Sequence, residues 1–203
     1  MTTMTTHETL DAELLRQVHA GRADAFTALY RRHQGPLYRY ALMRCGSADT
    51  AADVVQEAFM GLLTGRFQFD ALRGQLQHFL FGVARNLILK AEEGRGRHVA
   101  LPEPGDEDGE PEAELPCEGA EPLVRLLGIE AAEEVRRALT QLAPHYRDVV
   151  ILYELHELSY LEIATVCQVD IGTVRSRLSR GRAALAKRLQ AHAPAARPPC
   201  LTN

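Results

Sequence analysis

One segment constrains this chain more than any other: Ser159 to Leu189, SYLEIATVCQVDIGTVRSRLSRGRAALAKRL. It predicts two helices joined by a tight turn, with the second far more basic than the first. Ser159 followed by Glu162 is a capping-box pattern, and it opens a short helix whose apolar side carries Ile163, Ala164 and Val166. Gln168, Val169 and Asp170 form the connection, with Asp170 placed to cap the next helix. That helix, Ile171 to Leu189, carries Arg175, Arg177, Arg180, Arg182, Lys187 and Arg188 and no acid. A helix-turn-helix with so basic a second helix is a device for entering a DNA major groove.

At about 100° per residue, Ile171, Val174, Leu178, Gly181 and Leu185 share a stripe that should face the supporting helices. Thr173, Ser176 and Arg180 then point outward from the N-terminal half, where base edges are read. Arg175 and Arg177 fall on the flanks, toward the phosphates of the groove walls.

Leu158-Ser159-Tyr160 with Glu162-Ile163-Ala164, followed by Gly172-Thr173-Val174-Arg175-Ser176-Arg177-Leu178, resembles the promoter-binding C-terminal domain of bacterial sigma factors. The resemblance is greatest to the compact extracytoplasmic-function type, which has two folded domains. The family usually has Gly where this chain has Gln168; a left-handed backbone there predicts a strain of about 1 kcal/mol or less.

Charge patterning divides the chain. Between Ala100 and Pro122 there are nine acids, no Lys or Arg, and five of the ten prolines. Setting those nine acids aside turns the net charge of −4 into +5 for the remainder. Acid and proline density together deny the stretch a packed core, so residues 94–128 are expected to be a disordered acidic linker. Around it the expected architecture is all-α. Residues 1–23 form an extension with a short helix, 24–93 a region 2-like helical bundle, 129–190 a region 4-like helix-turn-helix domain and 191–203 a flexible tail. In the bundle, Gly35-Pro36 should kink or interrupt the second helix. Asp49–Thr64 predicts a third helix and Gln75–Glu92 a fourth with Leu76, Phe79, Leu80, Val83 and Leu87 as its apolar set. In the second domain Ile129–Leu142 and a helix opened by Pro144 should support the helix-turn-helix.

Two constellations in the bundle carry function through the resemblance, which spans residues 24–93 and 129–189. Asp53, Gln56, Glu57 and Met60 lie at i, i+3, i+4 and i+7, a mostly polar stripe beside the apolar one. With Phe59 they are similar to the segment by which sigma factors dock on the clamp helices of the polymerase largest subunit. Phe79-Leu80 with Val83-Ala84-Arg85-Asn86-Leu87 is similar to the segment that opens promoter DNA and captures an unstacked base of the minus-ten element. For that work Arg73, Arg85, Asn86 and Lys90 supply cations and hydrogen bonds, and Phe67 and Phe69 stacking surfaces. Many relatives have Trp, Asp and Arg at the positions of Phe79, Lys90 and Glu93, and this chain has no Trp.

The resemblance implies a sigma factor that binds core RNA polymerase and promoter DNA and answers to an anti-sigma factor. The competing reading is a homodimeric helix-turn-helix regulator on an operator. Nothing in the sequence resembles a catalytic carboxylate set or a phosphate loop, so no enzyme is expected. Cys45, Cys117, Cys167 and Cys200 have no paired spacing and the histidines do not cluster near them, so neither a metal site nor a cofactor is expected. The N-terminus lacks a secretory layout and no run approaches the ~18 apolar residues of a membrane span, which predicts a cytoplasmic protein.

Overall fold

The computed structural model describes residues 3–97 and 122–192, and every regular element among them is helical. Most of the predicted acidic linker, with Cys117, and the tail with Cys200 lie outside the described residues. The described flanks of that linker are helical: the fourth helix runs on to Arg97 and the fifth starts at Pro122.

The first domain is built from α1 (Thr3–His19), α2 (Ala23–Cys45), α3 (Ala48–Leu63), a single 3₁₀ turn (Ala71–Arg73) and α4 (Leu76–Arg97). Helix α1 is not a loose extension: Leu15 and Val18 are buried, and Asp11 is held by Arg32 and His33 of α2, the latter at 2.9 Å. Helix α2 passes through Pro36 without ending. Proline removes one backbone donor, but the buried stripe Leu29, His33, Leu37, Tyr40 and Ala41 packs on both sides of it and holds the helix together. Gly46 closes α2 in the left-handed conformation, φ 77°, and Ser47 caps α3 by accepting from the Thr50 amide. The stripe on α3 is as expected, with Val54, Val55, Ala58, Phe59 and Leu62 buried. On α4 the buried face is Leu76, Leu80, Phe81, Ala84 and Ile88, while Phe79, Val83 and Leu87 are half-buried beside it.

The second domain comprises α5 (Pro122–Thr140), α6 (Pro144–Glu154), α7 (Tyr160–Cys167) and α8 (Ile171–His192). Proline begins α6, where its missing donor costs nothing. The capping box forms in full: the Ser159 side chain accepts from the Glu162 amide and the Glu162 carboxylate accepts from the Ser159 amide. Gln168 takes the left-handed conformation, φ 57° and ψ 49°, where glycine is usual in the family. Val174 and Leu178 are buried against α6 and α7, and Gly181 is buried so closely that a Cβ there would lie 2.7 Å from Val150 Cγ2. Ile171, expected inside, is 37% exposed: it sits at the open end of α8, where the turn leaves nothing above it.

The two domains pack on each other. Helix α6 meets α2, α7 meets α4, and α5 meets α2, so the cores run together through Tyr40 and Phe81 on one side and Ile151, Leu152 and Cys167 on the other.

Candidate nucleic-acid and polymerase interfaces

Helix α8 rests on α5, α6 and α7. Val174 and Leu178 fix its rotation, and that rotation leaves Arg175, Ser176 and Arg180 exposed and Thr173 and Arg177 half-exposed. Thr173, Ser176 and Arg180 therefore share an accessible face. Ser176 donates to the Thr173 carbonyl at 3.0 Å, which leaves its hydroxyl oxygen free to accept from a base amino group. Arg175 lies 5.8 Å above the Tyr160 ring, which steers its guanidinium toward α7. Arg182 is paired with Glu154 at 2.5 Å and stacked on Tyr153, both of α6, so it braces the helix rather than extending the free face.

The stripe on α3 becomes one concave patch of about 450 Å³, lined by Asp53, Gln56, Glu57, Met60, Gly61, Thr64 and Arg66. All four expected residues are exposed, Met60 at 50%. Glu57 receives a 2.6 Å bond from Arg66, whose guanidinium stacks on Phe67; both charged groups are half-open to solvent, so a partner's cation competes at little cost. An aromatic-walled groove of about 470 Å³ adjoins the patch, contributed by Phe26, Tyr30, Tyr38, Val55, Phe59 and Met60. Phe26, Tyr30 and Phe59 touch edge to face or tilted, with centroids 4.8 to 6.3 Å apart. The resemblance places Phe59 in the docking segment but assigns Phe26 and Tyr30 no part in it; their i, i+4 spacing puts both rings on the side of α2 that meets Phe59 of α3.

The residues expected at the minus-ten element separate. Arg73, on the 3₁₀ turn capped by Asp70, and Asn86 both open onto a cleft of about 610 Å³ between the domains. Phe69 and Phe79 line it as a tilted pair 5.5 Å apart, and Leu161, Glu162, Thr165 and Gln168 form its opposite wall. Phe67 is elsewhere, packed over Gly61. Lys90 is exposed one turn beyond Asn86 on the same face of α4. Arg85 differs from all of these. Its side chain is 14% exposed and its Nε donates to Asp148 of the second domain at 2.9 Å.

Around Asp148 is the densest charge cluster among the described residues. Arg44 Nε donates to Asp148 at 2.6 Å while its terminal nitrogens grip Glu92 at 2.6 and 3.0 Å. Burial opposes the Arg44 charge, but the Glu92 hydrogen bonds and the Asp148 charge outweigh it and raise its pKa. Tyr40 donates to Asp148 at 3.3 Å, and burial together with that carboxylate pushes the phenol well above its usual value. Arg147 donates to the carbonyls of Arg44, Leu142 and Thr140, sealing the same seam. His156 lies 4.6 Å from the Phe81 ring, and burial, with Arg39 nearby, lowers its pKa to about 4, which keeps it neutral at pH 7.

No group of His, Cys, Asp and Glu among the described residues is arranged to hold a metal ion, and no described helix is long and apolar enough to cross a membrane.

Comparison with known proteins agrees with this layout. Residues 29–97 match Sigma-70 region 2 and residues 132–185 match Sigma-70 region 4. The chain is 32% identical to the ECF RNA polymerase sigma factor SigM of Mycobacterium tuberculosis over 90% of its own length and 86% of that protein's. It is 26% identical to the ECF RNA polymerase sigma factor SigW of Bacillus subtilis, covering 87% of this chain and 95% of SigW. Among solved structures, the sigma factor RpoE of Bartonella quintana in complex with the anti-sigma factor NepR superposes with a TM-score of 0.63 at 25% identity. That match covers 82% of this chain and 98% of RpoE. The operator-binding homodimer is not favoured, because the likeness extends across both domains and not the helix-turn-helix alone. With both regions present in order and relatives matched nearly end to end, the chain belongs to the extracytoplasmic-function family of RNA polymerase sigma factors.

Proposed function

We propose that this sigma factor docks on core RNA polymerase through the exposed α3 patch of Asp53, Gln56, Glu57 and Met60. Through α8 it then directs the polymerase to promoters with a particular upstream element. Thr173, Ser176 and Arg180 read bases, and Arg175 and Arg177 hold phosphates. Arg73, Arg85, Asn86 and Lys90 act at the minus-ten element, with Phe69 and Phe79 as the aromatic wall beside them. The polymerase performs nucleotidyl transfer, and the factor itself contributes no catalytic group.

The observation that carries the reading is the pairing of two exposed, chemically opposite surfaces in one chain. One is a carboxylate and amide patch with an aromatic groove beside it; the other is an acid-free basic helix seated by a capped first helix. A coiled coil with basic and apolar positions complements the first, and duplex DNA the second. The working domains are 24–93 and 129–190, joined by the acidic segment 94–128, and the site of action is the cytoplasm, where polymerase and promoters are. The RpoE–NepR complex supports an anti-sigma factor as a further partner here, one that withholds the factor until a signal arrives.

Run-off transcription with purified core polymerase tests the reading. Glu57→Lys should weaken core binding by at least ~2 kcal/mol, as expected when one partner of an interfacial charge pair is reversed. Because the Glu57–Arg66 pair is solvent-exposed, helicity and melting should hardly change. Unchanged core affinity in that variant contradicts the docking assignment, and failure of the wild-type chain to programme core polymerase contradicts the function.

A further inference from the structure

We propose that Asp148 is the catch of a self-closed state, in which its carboxylate takes the place of a DNA phosphate on Arg85 and holds the two domains together. The inference rests on Arg85 being a promoter contact, as proposed above, but its central test reads domain closure and not promoter use.

Asp148 stands in the middle of α6, followed by the buried run Val149 to Leu152, and is itself only 1% exposed. The three side chains hydrogen-bonded to it, Tyr40, Arg44 and Arg85, all belong to the first domain. An acid so placed has little to offer its own domain; its bonds are made across the seam. Guanidinium binds carboxylate and phosphate through the same donors, and Arg85, only 14% exposed while its Nε holds Asp148, is closed off from promoter DNA by the seam. The same closure puts Leu161, Thr165 and Gln168 opposite Arg73 and Asn86, which narrows access to the rest of the minus-ten surface.

The seam has the properties of a releasable one. Beside the apolar contacts of Tyr40 and Phe81, its links are ion pairs and side chain to carbonyl bonds, and the gain from a buried pair is largely offset by the desolvation of its charges. Opening does not strand Arg44, which keeps its two bonds to Glu92 inside the first domain. Asp148 and Arg85 are then the two ions that must find new partners, which are water for the acid and DNA for the base. Reach points the same way. Two promoter elements one and a half duplex turns apart lie roughly 50 Å from each other, whereas here α7 lies directly on α4.

A cross-link reads the closed state directly. An ideal Cβ at Gly46 lies 3.8 Å from Thr140 Cβ, a separation that suits a disulfide. The left-handed backbone at Gly46 strains Gly46→Cys, and a melting transition of the reduced parent close to that of wild type shows that the strain is tolerated. The probe is the full-length chain carrying Gly46→Cys and Thr140→Cys, with Cys45, Cys117 and Cys200 changed to Ser. Mild oxidation should give an intramolecular disulfide. The oxidised protein should lose about tenfold or more of its run-off activity with core polymerase, and a reductant should restore it. Adding Asp148→Asn should slow cross-linking roughly tenfold by removing the charge at the seam, and Arg85→Gln should do so from the other side. Helicity and melting of each variant show whether it remains folded, and a folded Arg85→Gln chain keeps the test decisive if Asp148→Asn destabilises its domain. Failure of the parent to cross-link overturns the proposal, as does full activity of the oxidised form. Equal cross-linking rates with and without the Asp148 charge also overturn it. If the protein cross-links on oxidation as expected yet its reduced form never initiates transcription, the sigma-factor reading fails and the closure stands.

Discussion

Gly181 is the position where one added methyl group should test the seating of the recognition helix. It lies inside α8 with no unusual backbone demand, and elsewhere in a helix alanine would stabilise by about 1 kcal/mol. Here the new Cβ would sit 2.7 Å from Val150 Cγ2 and 3.4 Å from the Tyr146 Cβ and carbonyl oxygen. Carbon atoms rest at ~3.5–4.0 Å, so the overlap with Val150 approaches 1 Å. Val150 cannot turn aside easily: it is 2% exposed and a β-branched residue in a helix keeps essentially one χ1 rotamer. Helices α6 and α8 must move apart, and overpacking of this kind costs ~1–3 kcal/mol. Against the propensity gain, the net expectation is a loss of about 1 kcal/mol, up to ~2. At ~4–8 °C per kcal/mol for a domain of this size, the melting transition followed by circular dichroism should fall by roughly 5–15 °C. Gly172 supplies the control on the same helix, because nothing lies within 4 Å of its Cβ position. Gly172→Ala should raise the transition slightly. Adding Val150→Ala to Gly181→Ala should recover part of the loss, a coupling of ~0.5–3 kcal/mol between touching residues. If Gly181→Ala melts at or above wild type, or shows no coupling to Val150, the close approach of α6 and α8 is wrong.

On the proposed division of the basic face of α8, Arg180→Ala should change which upstream bases a selection recovers, at a cost of ~1–3 kcal/mol for a lost bidentate contact. Arg177→Ala should instead weaken all promoters alike and reduce the salt dependence of binding by about one phosphate, and identical altered preferences in both variants would refute the division. Gln168→Gly should stabilise the second domain by ~1 kcal/mol or less in urea melts, because φ 57° is left-handed backbone that glycine adopts freely. For Asp11, burial raises the carboxyl pKa, but the hydrogen bonds and charges of His33 and Arg32 outweigh it and hold the group below its ordinary 3.8. A carboxyl depressed in the folded state contributes stability above that value and loses it as pH falls through the folded one. Urea melts stepped downward from pH 5 should therefore show the wild type losing stability more steeply below about pH 4 than Asp11→Asn.

Much of the second domain was legible because its signals are local. A capping box needs only residues three apart, and the family resemblance marks the left-handed turn position through the glycine that Gln168 replaces; both appear as expected at Ser159, Glu162 and Gln168. The exposed stripe on α3 was equally readable, since helical periodicity alone places Asp53, Gln56, Glu57 and Met60 on one side. Periodicity misjudged the places where tertiary packing decides. Pro36 does not interrupt α2, because a continuous buried stripe outweighs one missing donor. On α4 the buried stripe is Leu76, Leu80, Phe81, Ala84 and Ile88, because a second domain covers the side that carries Phe81 and Ala84. Ile171 is exposed because the helix-turn-helix leaves the first turn of α8 open.

The interface between the domains was not legible at all, for a physical reason. In sequence, Asp148 follows Arg147 in the middle of a short helix, a setting in which an acid is ordinarily a solvated surface residue. Its partners lie 108, 104 and 63 positions away, and no local period connects them. The family resemblance offers Arg85 as a cation for the minus-ten element; its actual environment depends on a carboxylate from another domain. A charge has two possible meanings in a two-domain chain, one for each partner it can reach, and periodicity reports only the face on which it stands. On the proposed reading, Arg85 belongs both to the surface that engages the promoter and to the surface that closes the molecule. Promoter binding and closure then draw on one guanidinium, and strengthening one weakens the other by linkage.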